Sequence, residues 1–335
     1  MQAAIYGPAS LELTADERDF FRDADPAGYI VFRRNCDNAE QLLRLTNSLR
    51  DLSGRADLPI LIDQEGGRVA RMRPPVWPAF PAAERFAHLY RAAPSSAIEA
   101  VRSNSRALAL MLLSCGINVN CLPLLDVRQE GATDIIGDRA LGSEPMQVAA
   151  LGRAVLDGMA SAGVLGVIKH MPGHGRALVD SHKELPVVDA SAQDLLIDLE
   201  PFQLLAGAPM GMTAHVVYRA WDSERPASLS PIVIQDVIRD AIGFGGWLMS
   251  DDIGMEALAG DFGSRAAGVV SAGCDVALHC SGKMEEMVEV AGAVPAMSPD
   301  GEARLARAMA ATMLDDDGPD FAETVAKRDT LLALA

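Results

Sequence analysis

The sequence predicts an α/β fold built on a parallel sheet, closed as a (β/α)8 TIM-type barrel in one domain spanning residues 1–335. Three observations lead there. Short apolar runs of strand length alternate with longer segments of helical spacing, the order expected of a parallel sheet with crossover helices. The 335 residues exceed the roughly 250 that an eight-fold barrel needs, leaving about 42 per strand–loop–helix unit. No linker, internal repeat or low-complexity tract divides the chain. Only seven strands can be named from the apolar runs, so closure is an inference and a doubly wound open sheet is the rival arrangement.

In chain order, the first strand is 28–32 (GYIVF), followed by helical spacing over 39–52 (AEQLLRLTNSLRDL). A second apolar run, 58–62 (LPILI), precedes the Pro-rich stretch 73–81, whose prolines make it a loop. Helical spacing over 98–115 leads to a strand at 117–121 (INVNC), and that over 145–162 to a strand at 164–168 (VLGVI). Strands at 210–213 (MGMT) and 246–249 (GWLM) flank a helix over 230–242, and 275–278 (DVAL) is the last strand. The run 315–320 (DDDGPD) reads as a charged turn before a closing helix over 321–335.

In a parallel α/β sheet, function sits where the loops leave the carboxyl ends of the strands. Four of these strands end in ionisable groups: Asp63-Gln64-Glu65 after LPILI, Lys169-His170 after VLGVI, Ala214-His215 after MGMT, and Ser250-Asp251-Asp252 after GWLM. Placing ionisable groups repeatedly beside apolar strands is costly unless that face is polar and in use.

The segment 170–182 holds three of the six histidines, His170, His174 and His182, together with Asp180. Asp180 and His182, two apart on a kinked loop, can pair, and a carboxylate-backed imidazole cycles its proton near neutral pH. The same side chains suit zinc, which takes three such ligands and a water. No HExxH or HxH pattern is present, however, and Lys169 would repel a cation there. Asp251 is a candidate nucleophile or ligand, while Asp252 is read as the N-cap of a helix over 253–258. In DQEGGRVARMR (63–73), Gly66-Gly67 permits a tight turn, and Arg68, Arg71 and Arg73 gather positive charge. Asp63 could hold vicinal sugar hydroxyls through charge-assisted hydrogen bonds, and Arg139 in IIGDRAL is a weaker candidate alone.

With 29 Lys+Arg against 46 Asp+Glu, the net charge of −17 disfavours nucleic-acid and anionic-membrane partners, which demand a basic face. The five cysteines (Cys36, Cys115, Cys121, Cys274 and Cys280) are widely spaced without a CxxC and read as free thiols in a reducing compartment. No signal peptide is expected, because acidic residues come before any long apolar run, and no 18-residue apolar stretch spans a membrane. A cytoplasmic protein is the expectation.

Several segments, in order along nearly the whole chain, resemble glycoside hydrolase family 3, and most of all its single-domain β-N-acetylglucosaminidases of peptidoglycan recycling. They are VFRRN (31–35), LIDQEGGRVARMR (61–73), GINVNCLPLLDV (116–127), IGDRALG (136–142), KHMPGHG (169–175), DSHKELP (180–186), MTAHVVY (212–218) and SDDIGM (250–255). KH-x-PGHG followed closely by DSH is the most specific of these. The resemblance implies a (β/α)8 barrel and a retaining double displacement. Asp251 matches the nucleophile, and His182, with Asp180 as its partner, matches the general acid/base. Asp63, Arg71, Arg139, Lys169 and His170 match the sugar-binding positions. The implied substrate is a terminal N-acetylglucosamine β-linked to an anhydro-muramyl peptide, with no cofactor and no metal; a monomer is the expected state. Met171 stands where the family usually has Phe, and RALV (176–179) is an unusual filling between PGHG and DSH. The alternatives are a metal-dependent hydrolase using His170, His174 and His182, a β-glucosidase-like member of the same family, and a sugar-binding sensor without turnover.

Overall fold

The computed structural model describes residues 1–129, 131, 136–179, 184–312 and 318–334. Eight parallel strands close on themselves: β1 (Gln2–Tyr6), β2 (Pro26–Val31), β3 (Ile60–Ile62), β4 (Val119–Asn120), β5 (Leu165–Met171), β6 (Met210–Thr213), β7 (Trp247–Asp252) and β8 (Val276–His279). Each pairs with its neighbours in sequence, and β1 closes the ring on β8 through Ala4↔Ala277 and Tyr6↔His279. The barrel is therefore (β/α)8 and not an open sheet. All seven strands named from the sequence are present. The eighth, β1, escaped because QAAIY is alanine-rich, and alanine has little strand preference.

The strands are buried on both faces, as a parallel barrel clad in helices requires. The helices are α1 (Ala15–Ala24), α2 (Ala39–Ser53), α3 (Ala83–Ala92), α4 (Pro94–Leu113), α5 (Pro145–Ala160), α6 (Leu196–Leu204), α7 (Phe262–Ala272), α8 (Met284–Ala293), α9 (Pro299–Ala310) and α10 (Phe321–Leu332). Local chemistry sets several ends. Thr14 and Glu17 form a capping box at α1, while α2 runs from an Asn38 cap to Gly54 in the left-handed region. The segment Val233–Ala241 is wound as a π-helix. A small sheet pairs Val187–Val188 with Val217–Tyr218 beside the barrel. No described helix is long and apolar enough to cross a membrane.

Two boundaries differ from the sequence reading. The helix expected over 253–258 is a set of turns, and Asp252 is not a helix cap. Instead β7 runs on through Asp252, whose Oδ1 accepts the N–H of Gly254 at 2.9 Å and of Cys280 at 3.3 Å. Likewise β5 continues through Lys169 and His170 to Met171. The catalytic-face candidates Lys169, His170 and Asp251 thus sit on strands, which hold side chains more rigidly than loops do.

Candidate active site

A cavity of about 240 Å³ opens at the carboxyl ends of the barrel strands. Asp63, Arg71, Arg139, Lys169, His170 and Asp251 all line it, with Glu65, His174 and Asp252 beside them. Six of the eight residues singled out as catalytic or sugar-binding therefore converge on one place. The other two, Asp180 and His182, lie outside the described residues.

After β3 the chain is folded back by one side chain. Gln64 Oε1 accepts the N–H groups of Arg71 at 2.8 Å and Met72 at 3.0 Å, while its Nε2 donates to Met72 O at 2.9 Å. The turn this closes passes through Gly66 at φ +103°, where a Cβ would lie 2.3 Å from Pro81 O. The tight turn expected of Gly66-Gly67 is present, and it returns Arg71 to Asp63.

The result is a continuous ion relay. Asp63 Oδ2 meets Arg71 at 3.1 Å and Oδ1 meets Lys169 Nζ at 3.0 Å. Lys169 reaches Glu65 Oε1 at 2.8 Å, and Glu65 takes Arg139 through both oxygens at 2.8 Å each. Burial works against the charges of Asp63, Glu65, Lys169 and Arg139, but the partners outweigh it. Lys169 and, to a lesser degree, Arg71 hold the Asp63 carboxyl well below the usual carboxylate range. Lys169 and Arg139 hold Glu65 down at about 2. The two carboxylates in turn hold Lys169 above its ordinary value, so it stays charged although buried. Two carboxylates against three cations leave this wall positive within an acidic protein. Arg68 and Arg73 do not join it. Arg68 pairs with Asp138 at 2.6 Å, and Arg73 donates to the carbonyls of Ala70 and Arg68.

On β5, His170 Nδ1 lies 2.8 Å from Oδ2 of Asp126, a fully buried carboxylate on the segment after β4. Asp126 Oδ1 also accepts the N–H of His170 at 3.2 Å and of His174 at 2.7 Å, which ties the PGHG turn to the strand end. Gly175 completes that turn, where a Cβ would stand 1.9 Å from Val127 O. Burial and then the neighbouring His170 push the His174 imidazole down to about 4, so it is neutral. The two rings lie 5.6 Å apart. Among the described residues no group of three His, Cys, Asp or Glu side chains is arranged to hold a metal.

Asp251 is half-buried at the end of β7. Its Oδ1 accepts the N–H of Asp252 at 2.8 Å. Burial opposes its charge, but His170 and this N–H keep its carboxyl below the ordinary value, and it is a carboxylate at neutral pH. Asp252 behaves oppositely. Burial raises it to about 6, with the Asp251 charge adding to the rise. One ionised, accessible carboxylate therefore lines a sugar-sized cavity together with hydrogen-bond donors held in fixed places.

The match to the model of the glycosyl hydrolase family 3 N terminal domain spans residues 8–310. The chain belongs to glycosyl hydrolase family 3. It is accordingly a glycoside hydrolase by family. It is 38% identical over 318 residues to the beta-hexosaminidase of Alkalilimnicola ehrlichii, covering 93% of this chain and 90% of that one. It is 36% identical over 303 residues to that of Aromatoleum aromaticum, covering 89% and 84%. Among solved structures, NagZ from Neisseria gonorrhoeae in complex with N-trifluoroacetyl-D-glucosamine superposes with a TM-score of 0.88 at 32% identity, covering 99% of this chain and 98% of that one.

Within this family member, sequence reasoning did not single out Glu65, Asp126 or Asp252 as part of the site. Glu65 and Asp126 lie inside quoted segments, but each acquires its role from a partner far along the chain, Arg139 and His170 respectively.

Proposed function

We propose that the protein is a retaining exo-β-N-acetylglucosaminidase that releases terminal N-acetylglucosamine from peptidoglycan fragments of the GlcNAc–anhydro-muramyl-peptide type. The observation that carries the reading is the position of Asp251, an ionised carboxylate lining one cavity with the Asp63–Lys169–Glu65–Arg139 relay and His170. Its names among relatives support the sugar: the similar proteins are beta-hexosaminidases, and the gonococcal NagZ holds a glucosamine derivative. The peptidoglycan aglycone rests on the sequence resemblance to recycling glucosaminidases.

In this scheme Asp63, Arg71, Arg139, Lys169 and His170 hold the hydroxyls and acetamido group of the terminal sugar. Asp251 attacks the anomeric carbon as the bond to the leaving oxygen breaks, forming a glycosyl ester. His182, paired with Asp180, gives its proton to the departing oxygen. It then takes a proton from water, whose oxygen displaces Asp251 and restores the β-configuration. A neutral imidazole in place of a second carboxylate avoids setting another negative charge beside the nucleophile. The test is hydrolysis of an aryl N-acetyl-β-glucosaminide followed by NMR: the β-anomer should appear first, and Asp251→Ala should lose turnover by at least about a thousand-fold. First appearance of the α-anomer, or wild-type turnover in Asp251→Ala, would refute the scheme. Loss of activity on chelation, restored by zinc, would favour the metal-dependent alternative.

A further inference from the structure

Behind Asp251 stands an imidazole that the scheme above does not use. His215 follows β6 directly and is fully buried. Its Nε2 lies 3.0 Å from the backbone oxygen of Asp252, and its Nδ1 lies 2.7 Å from Oγ of Ser228. A carbonyl oxygen can only accept, so Nε2 carries the proton and Nδ1 takes the hydroxyl hydrogen of Ser228. Both ring nitrogens are satisfied by neutral partners. Burial also lowers the acidity range of this imidazole, so the ring stays neutral and does not shuttle protons.

Ser228 is itself fully buried, and its N–H donates to Ala214 O at 3.2 Å, next to His215 in the chain. Ala214 in turn donates to Met171 O at 2.7 Å, at the end of β5. The imidazole is therefore held against two strand ends before it touches the third. At that third strand, Asp252 is bound through both of its backbone groups. Its carbonyl accepts from His215, and its N–H donates to Oδ1 of Asp251 at 2.8 Å. Oδ2 of Asp251 has no hydrogen-bond partner among the described residues, in a side chain that lines the cavity.

We propose that the Ser228–His215 pair is a positioning device for the nucleophile: it pins the backbone of Asp252 so that the Asp251 carboxylate is held through Oδ1 and presents Oδ2 to the anomeric carbon. The inference rests on Asp251 being the nucleophile, as proposed above. A buried neutral imidazole suits the task, because it is rigid, donates in one direction and adds no charge beside an anion that must react. Displacement of an attacking atom by about 1 Å costs on the order of a hundred-fold in rate, which is the scale on which such a device acts.

Three variants test it with an aryl N-acetyl-β-glucosaminide. His215→Phe keeps a ring but loses the N–H. His215→Gln keeps a donor near the position of Nε2. Ser228→Ala releases the tautomer. His215→Phe should lower kcat on the order of a hundred-fold with KM unchanged within about two-fold, because the sugar wall is untouched. His215→Gln should recover about ten-fold of that loss, and Ser228→Ala should fall between Phe and wild type. Wild-type kcat in folded His215→Phe or in Ser228→Ala would overturn the proposal. So would equal kcat in the Phe and Gln variants, since that marks a ring needed only for packing. If His215→Phe does not fold, Ser228→Ala decides by the same criterion. Asp251→Ala run alongside separates the two readings: its wild-type turnover would remove the nucleophile assignment whatever the His215 variants do.

Discussion

His170 presents Nδ1 to Oδ2 of Asp126 at 2.8 Å, and the other oxygen of the same buried carboxylate takes the N–H of His174. One side chain thus sets both the tautomer of a cavity-lining imidazole and the shape of the turn that follows β5. With Nδ1–H committed to Asp126, Nε2 of His170 is an acceptor when the ring is neutral. Asp126→Asn offers His170 an amide that can donate to Nδ1 and so reverses the tautomer. The expected result is a fall in kcat/KM on the order of 10- to 100-fold. Steady-state kinetics on an aryl N-acetyl-β-glucosaminide check it, and an unchanged kcat/KM would show that the tautomer of His170 has no consequence for catalysis.

Removing the central cation of the relay should cost stability as well as binding. Lys169→Met leaves Asp63 and Glu65 facing each other across the position that Nζ occupied. Loss of one partner from a buried ion network costs about 3–5 kcal/mol. Denaturant titration at pH 7 should show that loss, and lowering the pH toward 4 should return part of it as the two carboxyls become free to protonate. A variant as stable as the wild type at pH 7 would contradict the network's role.

The carboxyls of the site pull the pH dependence of stability in opposite directions. Glu65, held down at about 2, binds a proton less readily folded than unfolded, so its contribution is present above about pH 4.5 and is lost as the pH falls toward 2. Asp252, raised to about 6 by burial, binds a proton more readily when folded. Its contribution is present below about pH 4 and is lost as the pH rises through 6. Asp252→Asn should therefore flatten part of the decline between pH 4 and 6. Unfolding free energies at pH 4.5 and 6.5 measure this, and an identical slope in the variant would contradict the raised value of Asp252.

The backbone of the Asp63–Arg73 loop makes a separate prediction. Gly66→Ala demands φ near +103° from an L-residue and drives its Cβ to 2.3 Å from Pro81 O. The turn must open, and Glu65 and Arg71 move with it. KM should rise on the order of ten-fold, with the melting temperature reduced. Unaltered KM in this variant would show that the turn does not place the sugar wall.

What the sequence disclosed follows from range along the chain. Apolar runs bounded by ionisable residues revealed seven strands and placed Asp63, Lys169, His170 and Asp251 at their ends, because strand burial and strand termination are local. The alanine-rich β1 carries too weak a signal of its own. Asp252 has the local pattern of a helix cap, since Ser-Asp-Asp precedes an apolar stretch, but it is not one. What decides otherwise is the N–H of Cys280, brought near by β8 and bonded to Asp252 Oδ1 at 3.3 Å. Glu65 and Asp126 became recognisable only when folding carried Arg139 and His170 to them, 74 and 44 residues away. The expected dyad of Asp180 and His182 lies outside the described residues and stands as part of the proposal.

Intact-protein and peptide mass spectrometry after reaction with a slow 5-fluoro N-acetylglucosaminyl fluoride, under which the proposed glycosyl-enzyme would accumulate, reads the covalent step at its residue. A single covalent sugar is expected on the peptide carrying Asp251, absent in Asp251→Ala. Attachment to another residue, or turnover of substrate without any covalent adduct and with the α-anomer as first product, would contradict it.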